Sequence, residues 1–174
     1  MDTTREAESI PMKSHTTVEP TSERELVVTR TFDAPARVLF EAWTKPELLR
    51  RWWVPKSCGI TLLSCEVDAR VGGTYRLVFG HGDAEPVAFH GRYLEVASHS
   101  RLVWTNEEGG DDGAISTVTF EEKDGKTRLV LHELHPSKEA LDAARASGAE
   151  AGTLEAWEQL DELLGVLGAS VGPS

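Results

Sequence analysis

Cysteine, cationic charge and long apolar runs are all scarce in this 174-residue chain. The two cysteines, Cys58 and Cys65, fit no redox or zinc spacing, so a reduced, unlinked pair is expected. Lys and Arg number 18 against 29 Asp and Glu, a net charge of −11. Such a surface repels phosphate backbones and anionic lipid, which disfavours nucleic-acid and membrane-surface roles. No apolar run reaches the roughly 18 residues of a membrane-spanning helix. The opening stretch MDTTREAESIPMK carries no apolar segment of the secretory kind. A cytoplasmic location is the expectation left by elimination.

Catalytic signatures are equally scarce. There is no nucleophile elbow, no catalytic-cysteine signature and no paired-carboxylate motif. Of the six histidines, His15 falls in a polar leader and His81 and His99 in expected turns, where exposure is the ordinary outcome. His132 and His135 do not combine with the cysteines at the spacing of a tetrahedral site. Neither a metal nor any other cofactor is expected.

What remains is a patterned middle between polar ends. Residues 1–23 are rich in Thr, Ser, Glu and Pro without hydrophobic period, the composition of a disordered leader. One domain is expected over 24–168, with a flexible tail at 169–174; at this size burial supports a core without disulfide or metal. The run LVVTRTF from Leu26 to Phe32 reads as a strand, and Asp33-Ala34-Pro35 then supplies a cap and a helix-compatible proline. Pro46 opens a second short segment, PELLRRWW. Six strand-like runs follow, from ITLLSCEVD to KTRLVLHEL, each bounded by Gly, Pro, Asp or Ser, and Asp124-Gly125 signals a tight hairpin. Ser137 can cap a short helix that Gly148 ends. The chain then carries Leu154, Trp157, Leu160, Leu164 and Leu167 at helical spacings of three and four. The seven acidic residues beyond Ser137 read as a solvated helix face, or less simply as a docking surface for a basic partner.

Two short helices after strand one, a meander of six more strands and a long amphipathic helix pack economically in one way. The result is an α+β fold in which the last helix lies across the concave face of a curled, seven-stranded antiparallel sheet. Such a grip tends to leave space at its open end. Alternation turns Val118 and Phe120 inward on one strand and Leu129, Leu131 and Glu133 inward on its partner. Of the adjacent Trp52 and Trp53, one is expected to anchor the core and the other to lie over a pocket mouth. Tyr75, Phe79, Phe89, Trp104 and Trp157 are of a kind that lines a cavity, yet aromatic residues at these spacings serve a filled core equally well. With Trp53, Phe120, Leu131, Leu160 and Glu133 they are the candidate ligand-binding residues. Glu133 facing a cavity could act as a general base; an ion pair with Arg76 or Arg92 explains it equally well.

Several local motifs occur in an order that resembles a known family. They are Arg30-Thr-Phe-Asp-Ala-Pro35, Phe40-Glu-Ala-Trp-Thr44 with Pro46, and Trp52-Trp53-Val54-Pro55, where the family commonly has Gly at the position of Val54. Gly72-Gly73 ahead of Tyr75-Arg76, Gly91-Arg-Tyr-Leu-Glu95, Arg101-Leu-Val-Trp-Thr105, Thr127-Arg-Leu129 and finally Trp157 with Leu160-Asp161 continue the match. Together these resemble the bacterial proteins related to the activator of the heat-shock-protein-90 ATPase, in the SRPBCC (START-like) superfamily. The resemblance implies the helix-grip fold of birch-pollen-allergen-like proteins. It also implies three kinds of function: binding an apolar or aromatic small molecule as carrier or sensor, cyclase- or aromatase-like chemistry in the same cavity, or contact with a chaperone. A monomer or homodimer is expected.

Overall fold

The computed structural model describes residues 16–107 and 113–171, and in it the alternation of the sequence becomes pleat. Strand β1 is Thr17–Pro20 and β2 is Glu25–Phe32; β2 turns Leu26, Val28, Arg30 and Phe32 inward at every second position. Helices α1, Ala36–Thr44, and α2, Pro46–Leu49, follow. The meander comprises β3, Thr61–Val67; β4, Thr74–Gly80; β5, Val87–Ala97; β6, Arg101–Thr105; β7, Ile115–Lys123; and β8, Lys126–Leu134. Helices α3, Lys138–Ala146, and α4, Ala149–Val171, close the fold.

All neighbouring strands are antiparallel, and the order across the curved, unclosed sheet is β1-β2-β8-β7-β6-β5-β4-β3. Strand β2 pairs with the last strand, β8, so an early and a late stretch of the sequence meet within the sheet. The turn between β7 and β8 has Asp124 and Gly125 at φ 56° and 80°, with Lys123 opposite Lys126. Two successive left-handed residues are what a two-residue hairpin with strand-matched twist requires.

The sheet has eight strands among the described residues, one more than the sequence reading. The additional strand, Thr17–Pro20, lies inside the stretch read as disordered leader: Thr17 pairs with Thr29 and Pro20 with Leu26, and Val18 packs against the core. Four residues are too short to show an apolar period, which is why composition alone passed over them. Residues 1–15 lie outside the described residues. At the other end α4 continues through Val171, so the expected tail at 169–174 begins as helix.

Local signals differ in how they are realised. Ser137 caps α3 by accepting from the Ala140 N–H at 3.0 Å, and Gly148, at φ 89°, makes the turn into α4. Asp33 does not cap α1. The Ala36 N–H is satisfied instead by Glu122 on β7, 2.9 Å away, a tertiary contact no local motif announces. The segment PELLRRWW does form a second short helix, but α2 ends at Leu49, and Trp52 and Trp53 sit in the turn beyond it.

The core runs from the α4 interface with β2, β8 and β7 past α1 to Leu77 on β4, Tyr93 on β5 and Leu102 on β6, and is most tightly closed under α4. Phe32, Val118, Leu129 and Leu160 are wholly buried there, and Trp157 packs its ring 5.9 Å from that of Phe32. The inward register of β2 also forces Arg30 into this interface. Its guanidinium meets Glu158 at 3.1 Å and Asp161 at 3.3 Å on α4 and lies 5.0 Å from the centre of the Phe32 ring. A buried guanidinium needs such partners, because breaking a buried pair leaves a charge uncompensated.

Candidate ligand cavity

Beyond the filled half of the grip, a cavity of about 580 Å³ opens among four segments. The first is the irregular stretch after α2, contributing Trp52, Trp53, Val54, Pro55 and, further on, Ile60. The second is the end of β4, with Phe79, Gly80 and His81. The third leads into β5 and brings Ala84, Glu85, Val87 and Phe89. The last is the α3–α4 junction, where Ser147, Gly148, Gly152, Thr153 and Ala156 face the space.

The helix side explains why there is space at all. Gly148, Gly152 and Ala156 recur every four residues and so stand on one face of the chain entering α4, presenting almost no side-chain volume. Further along the same row Leu160 and Leu164, with Trp157 beside them, form the stripe that fills the core. Small residues toward one end and large ones toward the other give the grip a packed half and a hollow half. The opposite wall is aromatic. Phe79 and Phe89 meet edge to face with centres 4.9 Å apart, and Trp52 meets Trp53 at 5.4 Å.

Each tryptophan of the adjacent pair has its own task. Trp52 is buried and donates its Nε1–H to the Ala42 carbonyl at 2.9 Å, tying the turn to α1. Trp53 is half-buried and lies between the large cavity and a smaller gap of about 40 Å³ behind it. Phe89 lines both spaces as well, and Tyr75 and Trp104 line the inner one. The inner gap has room for no more than a few waters. It has a polar floor: the Tyr75 hydroxyl donates to the Thr105 carbonyl at 2.7 Å and lies 3.4 Å from Asn106 Oδ1, while Asn106 Nδ2 donates to Ala114 O and Ser116 Oγ at 2.8 and 3.0 Å.

The irregular wall is held in place by α4. Gln159, buried, donates to the carbonyls of Trp52 and Val54 at 3.1 and 2.9 Å and accepts from the Lys56 N–H at 2.9 Å. Glu155 accepts from the Ser57 N–H at 3.0 Å and from its hydroxyl at 2.5 Å. The Ser57 side-chain and backbone hydrogen bonds hold the Glu155 carboxyl below its ordinary value. A stretch with few backbone partners of its own is thereby fixed by two side chains one helical turn apart.

Five of the ten candidate residues, Trp53, Tyr75, Phe79, Phe89 and Trp104, line one or both of these spaces. Phe120, Leu131, Trp157 and Leu160 are buried in the filled half, outside both linings. Glu133 faces inward as alternation requires, but toward a separate gap of about 40 Å³ beside Val18, Leu26, Val28 and Arg145. Its contact is His135, at 3.4 Å, rather than Arg76 or Arg92. Arg92 pairs with Glu107, whose carboxyl is held low by Thr105 and by Arg92 itself. Glu133 is therefore no part of the large cavity. His81, read as a bystander in a turn, lines that cavity.

The titratable side chains lining the large cavity, among the described residues, are His81 and Glu85, both on the exposed β4–β5 connection. Burial raises the Cys65 thiol and the Tyr93 hydroxyl above their ordinary values, the direction opposite to nucleophile activation. Among the described residues no three His, Cys, Asp or Glu side chains converge as a metal site would require, and no helix is long and apolar enough to cross a membrane.

Comparison with known proteins agrees with this architecture. A protein of Rhodobacter sphaeroides of known structure shares 25% identity, covers 88% of this chain and 99% of its own, and superposes with a TM-score of 0.81. Ms6760 of Mycobacterium smegmatis, also 25% identical with the same coverage, gives 0.75. CV1439 of Chromobacterium violaceum, 28% identical, covers 80% of this chain and 96% of its own at 0.66. No curated protein matches the chain. The family described as activator of Hsp90 ATPase homolog 1-like protein matches residues 33–165, from the entry into α1 to the middle of α4. The chain belongs to that family.

Proposed function

We propose that the protein binds a small, predominantly apolar or aromatic molecule in the cavity between the β4–β5 hairpin, the Trp52–Pro55 wall and the start of α4. The observation that supports this most directly is the cavity itself: about 580 Å³, with two pairs of aromatic rings in its walls. That volume falls within the range of small-molecule sites, which are mostly apolar with a few placed polar groups. Large hydrophobic side chains exposed at its rim, Ile60, Val87 and Phe89, have surface to lose to a ligand. A carrier or sensor needs nothing more.

A cyclase-like enzyme would need at least two converging groups able to move protons. His81 and Glu85 are the titratable candidates among the described lining residues, and both stand at the rim rather than in the depth. A protein-binding role would use the outer surface and leave the cavity unexplained. The deciding measurement is a titration with flavonoid-like, fatty-acid and polyaromatic compounds, followed by tryptophan fluorescence, since Trp52 and Trp53 are part of the wall. Saturable quenching or enhancement below about 1 mM is expected, equivalent to at least about 4 kcal/mol of affinity. No binding across the panel would overturn the carrier reading in favour of a protein partner.

A further inference from the structure

The charged groups around the cavity are one-sided. No lysine or arginine lines it among the described residues, and its single acidic side chain, Glu85, stands between His81 and Val87 at the hairpin rim. The nearest cationic side chain on the α3–α4 junction, that of Arg145, is engaged with Glu150 and faces the separate gap beside Glu133. A carboxylate ligand entering this site would lose its water and meet no lysine or arginine, with the His81 imidazole at the rim as the one basic side chain among the described lining residues, a costly arrangement for an anion. A cation would meet a different surface: the half-buried ring of Trp53 on one side, the rings of Phe79 and Phe89 on the other, and a carboxylate at the mouth. Aromatic faces attract cations through their quadrupole, Trp most strongly, by about two- to fivefold in affinity per exposed contact. The net charge of −11 biases approach in the same direction.

We propose, resting on the cavity reading above, that this site selects hydrophobic cations, aromatic or alkyl amines and quaternary ammonium compounds, over carboxylates of the same shape. The apolar body of such a ligand occupies the space left by Gly148, Gly152 and Ala156, and its cationic group sits against the aromatic rim within reach of Glu85. Glu85 is then the residue that distinguishes a cation from its neutral analogue, and the rings distinguish either from an anion.

Three naphthalenes that differ only in their head group separate this claim from the one beneath it: 2-naphthylmethylammonium, 2-naphthylmethanol and 2-naphthoate, titrated into the full chain at pH 8 and about 150 mM salt, where distant surface charges are largely screened. The ammonium is expected to bind at least about tenfold more tightly than the carboxylate and about threefold more tightly than the alcohol. Glu85→Gln, in an exposed turn, is expected to remove the ammonium's advantage over the alcohol. Phe89→Ala should weaken all three. Carboxylate binding equal to or tighter than that of the ammonium overturns the proposal, as does a Glu85→Gln variant that keeps the full ammonium preference. In both cases alcohol binding that is sensitive to Phe89→Ala leaves the cavity reading standing. If none of the three binds, the cavity reading falls and the cation proposal with it.

Discussion

The two halves of the sheet use the same kinds of residue to opposite ends. Over β2, β8 and β7 the aromatic and branched side chains meet α4 and vanish from solvent: Phe32, Val118, Leu129 and Leu160 have no exposed surface. At the start of β5, against the far end of β4, Phe89 keeps 40% of its surface exposed and Val87 55%. Hydropathy does not separate the halves; what separates them is the volume that α4 brings to each. Where the helix offers Trp157, Leu160 and Leu164 the grip closes, and where it offers Gly148, Gly152 and Ala156 it stays open. Whether a helix grip is solid or hollow is thus written in the size of residues along one helix rather than in the sheet that surrounds it.

The contrast is broken most strongly at the filled end. Trp157→Ala removes a side chain that is 2% exposed and packs against Phe32 and Trp43. It should cost about 3 to 5 kcal/mol, from lost contacts and the void left behind. Chemical denaturation with an unchanged slope would measure it; a loss under about 1 kcal/mol would contradict the packing described. Gln159→Ala comes next. It leaves the carbonyls of Trp52 and Val54 and the Lys56 N–H without their partner, so about 1 to 3 kcal/mol should be lost, with weaker ligand binding because the wall is no longer held.

At the open end the two effects should separate. Phe89→Ala truncates an exposed ring, so stability should change by less than about 1.5 kcal/mol. Ligand affinity should nonetheless fall measurably in calorimetric titration. Gly152→Leu is the complementary test: a Cβ at Gly152 would meet only Pro55 Cγ, at 3.7 Å, so a larger side chain is accommodated by growing into the cavity. Replacing helical Gly also contributes about 0.5 to 1 kcal/mol in favour of the helix. Thermal unfolding should show an equal or higher Tm while binding is lost. A Tm that drops sharply would mean that the hollow half is already full.

This asymmetry also marks what could be read from the sequence. Alternation placed Val118, Phe120, Leu129 and Leu131 on one face, and spacing placed Trp157 and Leu160 on the core stripe, because both patterns repeat along an element. The candidate residues that line the cavity, Trp53, Phe79 and Phe89, and those of the inner gap, Tyr75 and Trp104, were legible as large aromatics. Their separation from Phe120 and Trp157 was not, since filled and hollow packing use the same side chains. The missed wall, from Val54 and Pro55 to Ile60 and Val87, lies largely in connections, where no period exists to read. An overlooked signal was Gly148, Gly152 and Ala156: a small residue every four positions, in a row that Leu160 and Leu164 then continue with large ones. Arg30 was missed for a related reason. Its inward position follows from alternation with Val28 and Phe32, but only Glu158 and Asp161, more than a hundred residues away, make a guanidinium tolerable there.

The smallest effect expected is electrostatic and confined to the cavity wall. Glu155 is held below its ordinary value of 4.5, first by the Ser57 hydroxyl and then by the Ser57 N–H, both of which donate to the ionised carboxylate. A group whose folded value is depressed contributes stability that is fully present above the unfolded value and lost as pH falls through the folded one. The window therefore lies at and below pH 4.5, and nothing should change between pH 6 and 8 on this account. Because the carboxylate is open to solvent, the contribution is small and screened by salt. Glu155→Gln keeps an acceptor for Ser57 but cannot titrate. Compared with the parent chain at low ionic strength, it should show a slightly shallower fall in Tm through the acid range, and Ser57→Ala should shift the parent's dependence in the same direction. Identical acid profiles in all three proteins would show that the Ser57 contact does not help hold the wall against α4, leaving Gln159 as its main tether.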